Sequence, residues 1–143
     1  MVYTHQGIQE FDKQIKELLD EGLIRNSKSP YTSLAFMVKN HAEEKRAKAR
    51  MVINYKKHNN NIVFDNYCIS NKAVLFNRIQ EASSFLKMDC KSLYWQIKID
   101  EESILLTAFS APHGHYEWII MSFGLKNAPQ IYQRRMDKHL QIS

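Results

Sequence analysis

Glycine is scarce in this sequence. Only four occur in 143 residues, at positions 7, 22, 114 and 124. No two of them are spaced as a GxGxxG or GxxxxGK loop, so dinucleotide folds and P-loop nucleotide binding, as usually written, are excluded. Turns must be built from other residues, and two clusters offer themselves: NSKSPYTS (26–33) and HNNN (58–61). The length suits one ordinary domain. With 44% hydrophobic and 11% aromatic residues the chain is neither disordered nor collagenous. Two cysteines, Cys68 and Cys90, make neither a disulfide framework nor a CxxC site. No apolar run approaches the ~20 residues of a membrane span. The opening MVYTHQGIQEFDK lacks a signal core, so a soluble intracellular chain is expected.

Patterning predicts an α+β fold. Ile8, Phe11, Ile15, Leu18 and Leu19 share one helical face, and Gly22 is a fitting stop. AFMVKN (35–40) and RMVINY (50–55) read as two strands joined by HAEEKRAKA. Residues 73–82 suggest a short helix, FLKMDC (85–90) an apolar strand, and YWQIKID (94–100) a further strand. ILLTAFS (104–110) and YEWIIM (116–121) form a second hairpin around APHGH. Asn127 can cap a last helix with Pro129 in its first turn. Hairpins and helices without regular βαβ alternation suggest this class.

The net charge of +5 is local. Residues 39–57 hold seven basic residues, Lys39, Lys45, Arg46, Lys48, Arg50, Lys56 and Lys57, against Glu43 and Glu44. Elsewhere thirteen basic and thirteen acidic residues balance. The excess falls on the first hairpin, where it either attracts a polyanion or forms a solvated loop. Asp89 is the acid that patterning singles out, because it ends an apolar strand. A buried carboxylate needs a cation: a metal, or Lys87 and Lys91 on the same strand face. The run Asp100, Glu101, Glu102 reads as a solvated turn. His113 and His115 with a cysteine match no common zinc spacing. Trp95 and Trp118 read as core aromatics.

Taken in order, ARMVINYKKHN, FLKMDCKSLYWQIKID and LTAFSAPHGHYEWIIMSFGLKNAPQIYQRRM resemble the reverse transcriptases of retroelements. The detail is most similar to plant pararetroviruses of the badnavirus type (Caulimoviridae) and their genome-integrated relatives. The resemblance implies a fragment of a viral polyprotein with the fingers and partial palm of a right-hand polymerase. Residues 1–64 and 97–127 would be fingers, and 65–96 and 128–143 an incomplete palm. It implies that Arg50 contacts a triphosphate, a task suited to a planar, bidentate guanidinium. Asp89 would hold Mg²⁺ and take part in catalysis. Tyr94 would exclude a ribose 2′-OH, and Phe123 and Gly124 would support the nucleotide. Lys28, Ser29 and Pro30 would form a template-side turn, with Pro129 and Gln133 supporting the template base. Lys45, Arg46 and Lys48 would contact phosphate or template. The implied partners are an RNA or DNA template-primer and dNTP.

Three positions depart from the family pattern: Leu93 stands for a glycine, and Ser122 and Leu34 each stand for a proline. Leu93 is expected to crowd the triphosphate pocket, and each proline loss to loosen a turn. The family's other two catalytic carboxylates come from a Tyr-x-Asp-Asp hairpin, and no Asp-Asp pair occurs in these residues. The expectation is a polymerase fragment inactive alone. The alternative is a non-catalytic, salt-sensitive nucleic-acid binder using the 39–57 hairpin.

Overall fold

A computed structural model describes residues 5–38 and 49–140. Helix α1 (His5–Asp20) buries Phe11, Ile15 and Leu18, as its apolar period requires. It ends where Gly22 turns to φ +67. There Leu23 N–H donates to Leu18 O and Gly22 N–H to Leu19 O, each at 3.0 Å. This paired closure satisfies carbonyls that the helix end leaves open.

Five strands follow: β1 (Ile24–Asn26), β2 (Ser33–Val38), β3 (Arg50–Ile53), β4 (Phe109–Ala111) and β5 (Gly114–Trp118). They form one mixed sheet in the order β1-β5-β4-β2-β3. All neighbours are antiparallel except β2 and β4, which run parallel through Ser33↔Phe109 and Leu34↔Ser110. Gln14 of α1 covers β3. Its side-chain amide donates to Ala49 O at 2.9 Å, and its carbonyl accepts from Met51 N–H at 3.1 Å. The amide thus stands in for a further strand at the sheet edge. Phe11, Ile15, Ile24, Ala35, Ile53, Tyr55, Phe109, Trp118 and Ile120 make one core between α1 and the sheet. Among the described residues no helix is long and apolar enough to cross a membrane.

The remaining elements are short: α2 (Lys56–Asn60), α3 (Lys72–Ile79), a 3-10 turn at Leu93–Gln96, α4 (Glu101–Ile104) and α5 (Ala128–Leu140). Several expectations are corrected. HNNN is mostly the helix α2 rather than a break. The segment 85–90 is not a strand: Phe85 is 69% and Leu86 83% exposed, and no described strand pairs with it. An extended segment without a partner leaves its backbone groups to water and does not form a ladder. Asp89 is therefore exposed rather than buried. It makes no ion pair with Lys87 or Lys91.

Only the second half of 94–100 is extended, joining Ile120 through a single bridge at Lys98. Residues 101–107 are helical, so the second hairpin is limited to β4 and β5. Trp118 is buried and Trp95 half-buried, in keeping with a core role. Lys45, Arg46 and Lys48 lie outside the described residues.

Candidate nucleotide and nucleic-acid site

The loop between β5 and α5 carries Phe123 and Gly124. Gly124 has φ +90, and a Cβ there would meet Tyr55 Cδ2 at only 3.6 Å. That is ordinary contact, so the left-handed backbone, not lack of space, calls for glycine. One residue of α2 holds the loop. Asn59 Nδ2 donates to Gly124 O at 2.8 Å, and Lys126 N–H donates to Asn59 Oδ1 at 2.9 Å. The loosening expected from Ser122 is thus opposed by a two-point clamp. Leu34 loosens no turn, because it lies inside β2 and its carbonyl accepts from Asn54 N–H.

Asn127 precedes α5, but its side chain does not cap the helix. It donates to Val63 O at 2.8 Å and accepts from Asp65 N–H at 3.0 Å. Other contacts join the same strap to α5 and its approach. Lys126 Nζ donates to Ile62 O, Asp65 pairs with Arg134 at 2.7 Å, and Arg134 lies over the Tyr67 ring. The Arg134 guanidinium holds the Asp65 carboxyl below its usual range. Tyr67 donates to Asp137, whose other oxygen accepts from Gln133 at 2.7 Å. Gln133 is thereby fixed along its own helix, and Pro129 is exposed in the first turn.

Arg50, Ser92, Trp95, Phe123 and Gly124 line one cavity of about 610 Å³ between β3, α1 and the loop. Tyr94 joins them through aromatic contact, its ring centroid 5.0 Å from Phe123 and 6.0 Å from Tyr132. The aromatic series continues from Phe123 to Trp95, Trp118 and Phe109, ending in the core. The backbone is strained beside this series: Ser92 adopts φ 48 and ψ 50, a left-handed conformation uncommon outside glycine. Leu93 itself is helical and does not line the cavity, so the crowding expected of it is not found there.

The residues expected on the template side sit elsewhere. Ser29 Oγ donates to Leu105 O at 2.6 Å and accepts from Tyr31 N–H at 3.1 Å, leaving Lys28 and Pro30 exposed. Two further cavities, of about 390 and 350 Å³, adjoin at His58, Ile62 and Leu106. They run from Tyr31 to Asn127 and Ile131 and share no lining residue with the first. Burial lowers the His58 imidazole below its usual range.

Among the described residues no three His, Cys, Asp or Glu side chains come together as a metal site. Asp89 belongs to no such group. His113 is bound to Asp12 and His115 to the Tyr31 carbonyl. Patterning missed Asn59, and it gave Asn127 a helix cap in place of its contacts with Val63 and Asp65. HNNN reads as a turn, and nothing local signals a partner some sixty residues away.

The family model for reverse transcriptase (RNA-dependent DNA polymerase) matches residues 38–142. The chain belongs to the reverse transcriptase family. It is 50% identical over 142 residues to the enzymatic polyprotein of cauliflower mosaic virus (strain Strasbourg), covering 99% of this chain and 21% of the relative. It is 49% identical to that of figwort mosaic virus (strain DxS), covering 98% and 21%. For carnation etched ring virus the identity is 46%, covering 94% and 20%. The chain spans about a fifth of the length of these curated relatives. Its fold matches the native prototype foamy virus protease-reverse transcriptase with a TM-score of 0.78 at 19% identity, covering 99% of this chain and 18% of that one. The foamy viral enzyme in complex with RNA/DNA hybrid gives 0.79 at 16%, with the same coverage.

Proposed function

We propose that this chain is the fingers (1–64 and 97–127) and an incomplete palm (65–96 and 128–143) of an RNA-directed DNA polymerase. The observation that carries this is convergence. Arg50 and the adjacent pair Phe123–Gly124, more than seventy residues apart in sequence, line one cavity, and the Tyr94 ring packs against Phe123 at a tilt of 57°. In this reading the Arg50 guanidinium receives the triphosphate of a dNTP, since it stays charged and can bind phosphate through two N–H groups. The Phe123–Gly124 loop supports the nucleotide, and the Tyr94 ring takes the space a 2′-OH would occupy. Lys28, Ser29, Pro30, Pro129 and Gln133 face the template-primer. Lys45, Arg46 and Lys48 add phosphate contacts.

Reverse transcriptases generally use Mg²⁺, and Asp89 is the position that the family likeness gives to it. A single carboxylate holds Mg²⁺ weakly, so the 143 residues are inactive alone. Primer extension tests this. No template-dependent dNTP incorporation is expected with Mg²⁺ or Mn²⁺. Incorporation abolished by Asp89→Ala would overturn the inactivity. Failure of Arg50→Ala to weaken dNTP binding would overturn the pocket.

The charge excess on 39–57 favours a second reading, a non-catalytic nucleic-acid binder. Binding is then sequence-indifferent and salt-sensitive. It falls when Lys45, Arg46 and Lys48 become Ala, and binding unchanged by salt or by those substitutions would exclude it.

A further inference from the structure

Glu117 lies on β5 across from Arg25 of β1 and is only 7% exposed. An ionised carboxylate in that place is costly unless both oxygens are satisfied. They are. Glu117 Oε1 accepts from Arg25 Nε at 2.7 Å, and Oε2 accepts from Ser27 Oγ at 2.6 Å. Arg25 in turn reaches Glu101 at the start of α4, also at 2.7 Å. Ser27 passes the constraint on, because its Oγ accepts from Ser29 N–H at 3.0 Å while Ser27 N–H donates to His115 O at 2.9 Å.

We infer that Glu117 is a positioning residue for nucleic acid, setting the Lys28–Ser29–Pro30 turn through Ser27 without touching the template. The chain of contacts runs from a rigid strand to an exposed turn and ends one residue either side of Lys28. A lysine held there meets a phosphate without first losing the freedom of a mobile loop. The inference rests on the proposed template-side role of that turn.

Ser27→Ala is the main test, because it cuts the link and leaves the buried carboxylate on Arg25. The probe is a labelled RNA–DNA duplex with a 5′ template overhang, bound by the 143-residue chain over a series of salt concentrations. Lys28→Ala is expected to weaken binding several-fold and to lower the salt slope by about one. Ser27→Ala, which removes no charge, is expected to do the same. Lys28→Ala added to Ser27→Ala is expected to cost nothing more, since non-additivity marks a shared mechanism. A merely structural role for Ser27 would leave the two effects additive. Glu117→Gln, which keeps the shape of the group, provides a second arm and is expected to weaken binding in the same direction.

If Lys28→Ala changes neither affinity nor slope, the template reading of the turn falls and this inference falls with it. If Lys28→Ala weakens binding while Ser27→Ala and Glu117→Gln bind as the parent does, the reading stands and the inference alone is overturned. Additive losses also overturn it.

Discussion

Residues 63–90 and 97–125 are almost equally apolar, with fifteen hydrophobic residues of twenty-eight in the first and fifteen of twenty-nine in the second. Their fates differ. The second stretch contributes ten buried residues, including Phe109, Trp118 and Ile120, and the first contributes none. In the second, β4 and β5 pair with each other and with β2 and β1, and their side chains meet α1. In the first, α3 exposes Phe76 to 64% and the approach to Asp89 exposes Leu86 to 83%. Hydrophobic composition is a capacity for burial. Partner surfaces decide whether it is used.

Substitutions can break that comparison. Phe11→Ala empties the centre of the packed body and is expected to cost about 3–5 kcal/mol in urea unfolding. Thr107→Val is expected to cost about 1–3 kcal/mol, because it strands polar groups. Thr107 Oγ1 accepts from the Trp118 N–H and donates to Ile104 O. Leu86→Ala and Phe85→Ala are expected to change stability by less than about 0.5 kcal/mol, as surface changes do. A core-sized loss at Leu86 would show that 85–90 is packed, and the contrast would fail.

Acid gives the smallest effect. Burial pushes the Glu117 carboxyl up, but Ser27 and Arg25 outweigh it and hold the group below its ordinary 4.5. The folded chain therefore binds that proton more weakly than the unfolded one. The contribution is complete above the ordinary carboxylate range and is lost as pH falls through the lowered value. Urea midpoints are expected to fall below about pH 4.5, and Glu117→Gln to flatten that dependence.

The parts legible in sequence are those governed by local period. The apolar face of α1, the alternation in β2 and β3, and the glycine stop after α1 are all visible in the residues. The parallel contact of β2 with β4 is not, because it depends on chain segments some seventy-five residues apart. FLKMDC misleads for a related reason: it has strand composition, but no described strand lies beside it. At the candidate site, the motif order pointed to Arg50, Tyr94, Phe123 and Gly124. Asn59, which clamps the Phe123–Gly124 loop, sits in a run of asparagines whose local meaning is only a turn. Glu117 is illegible for the same reason: an acid within YEWIIM reads as the solvent-facing member of an alternating strand.

The aromatic series that ends at Phe123 also makes the cavity optically visible. Trp95 and Trp118 are the chain's two tryptophans, their ring centroids are 6.1 Å apart, and both line the cavity that Arg50 and Gly124 share. The indole emission of these 143 residues therefore originates beside that cavity. A molecule bound there would lie beside both indoles, so occupancy is expected to be readable, without a label, as a change in intrinsic fluorescence.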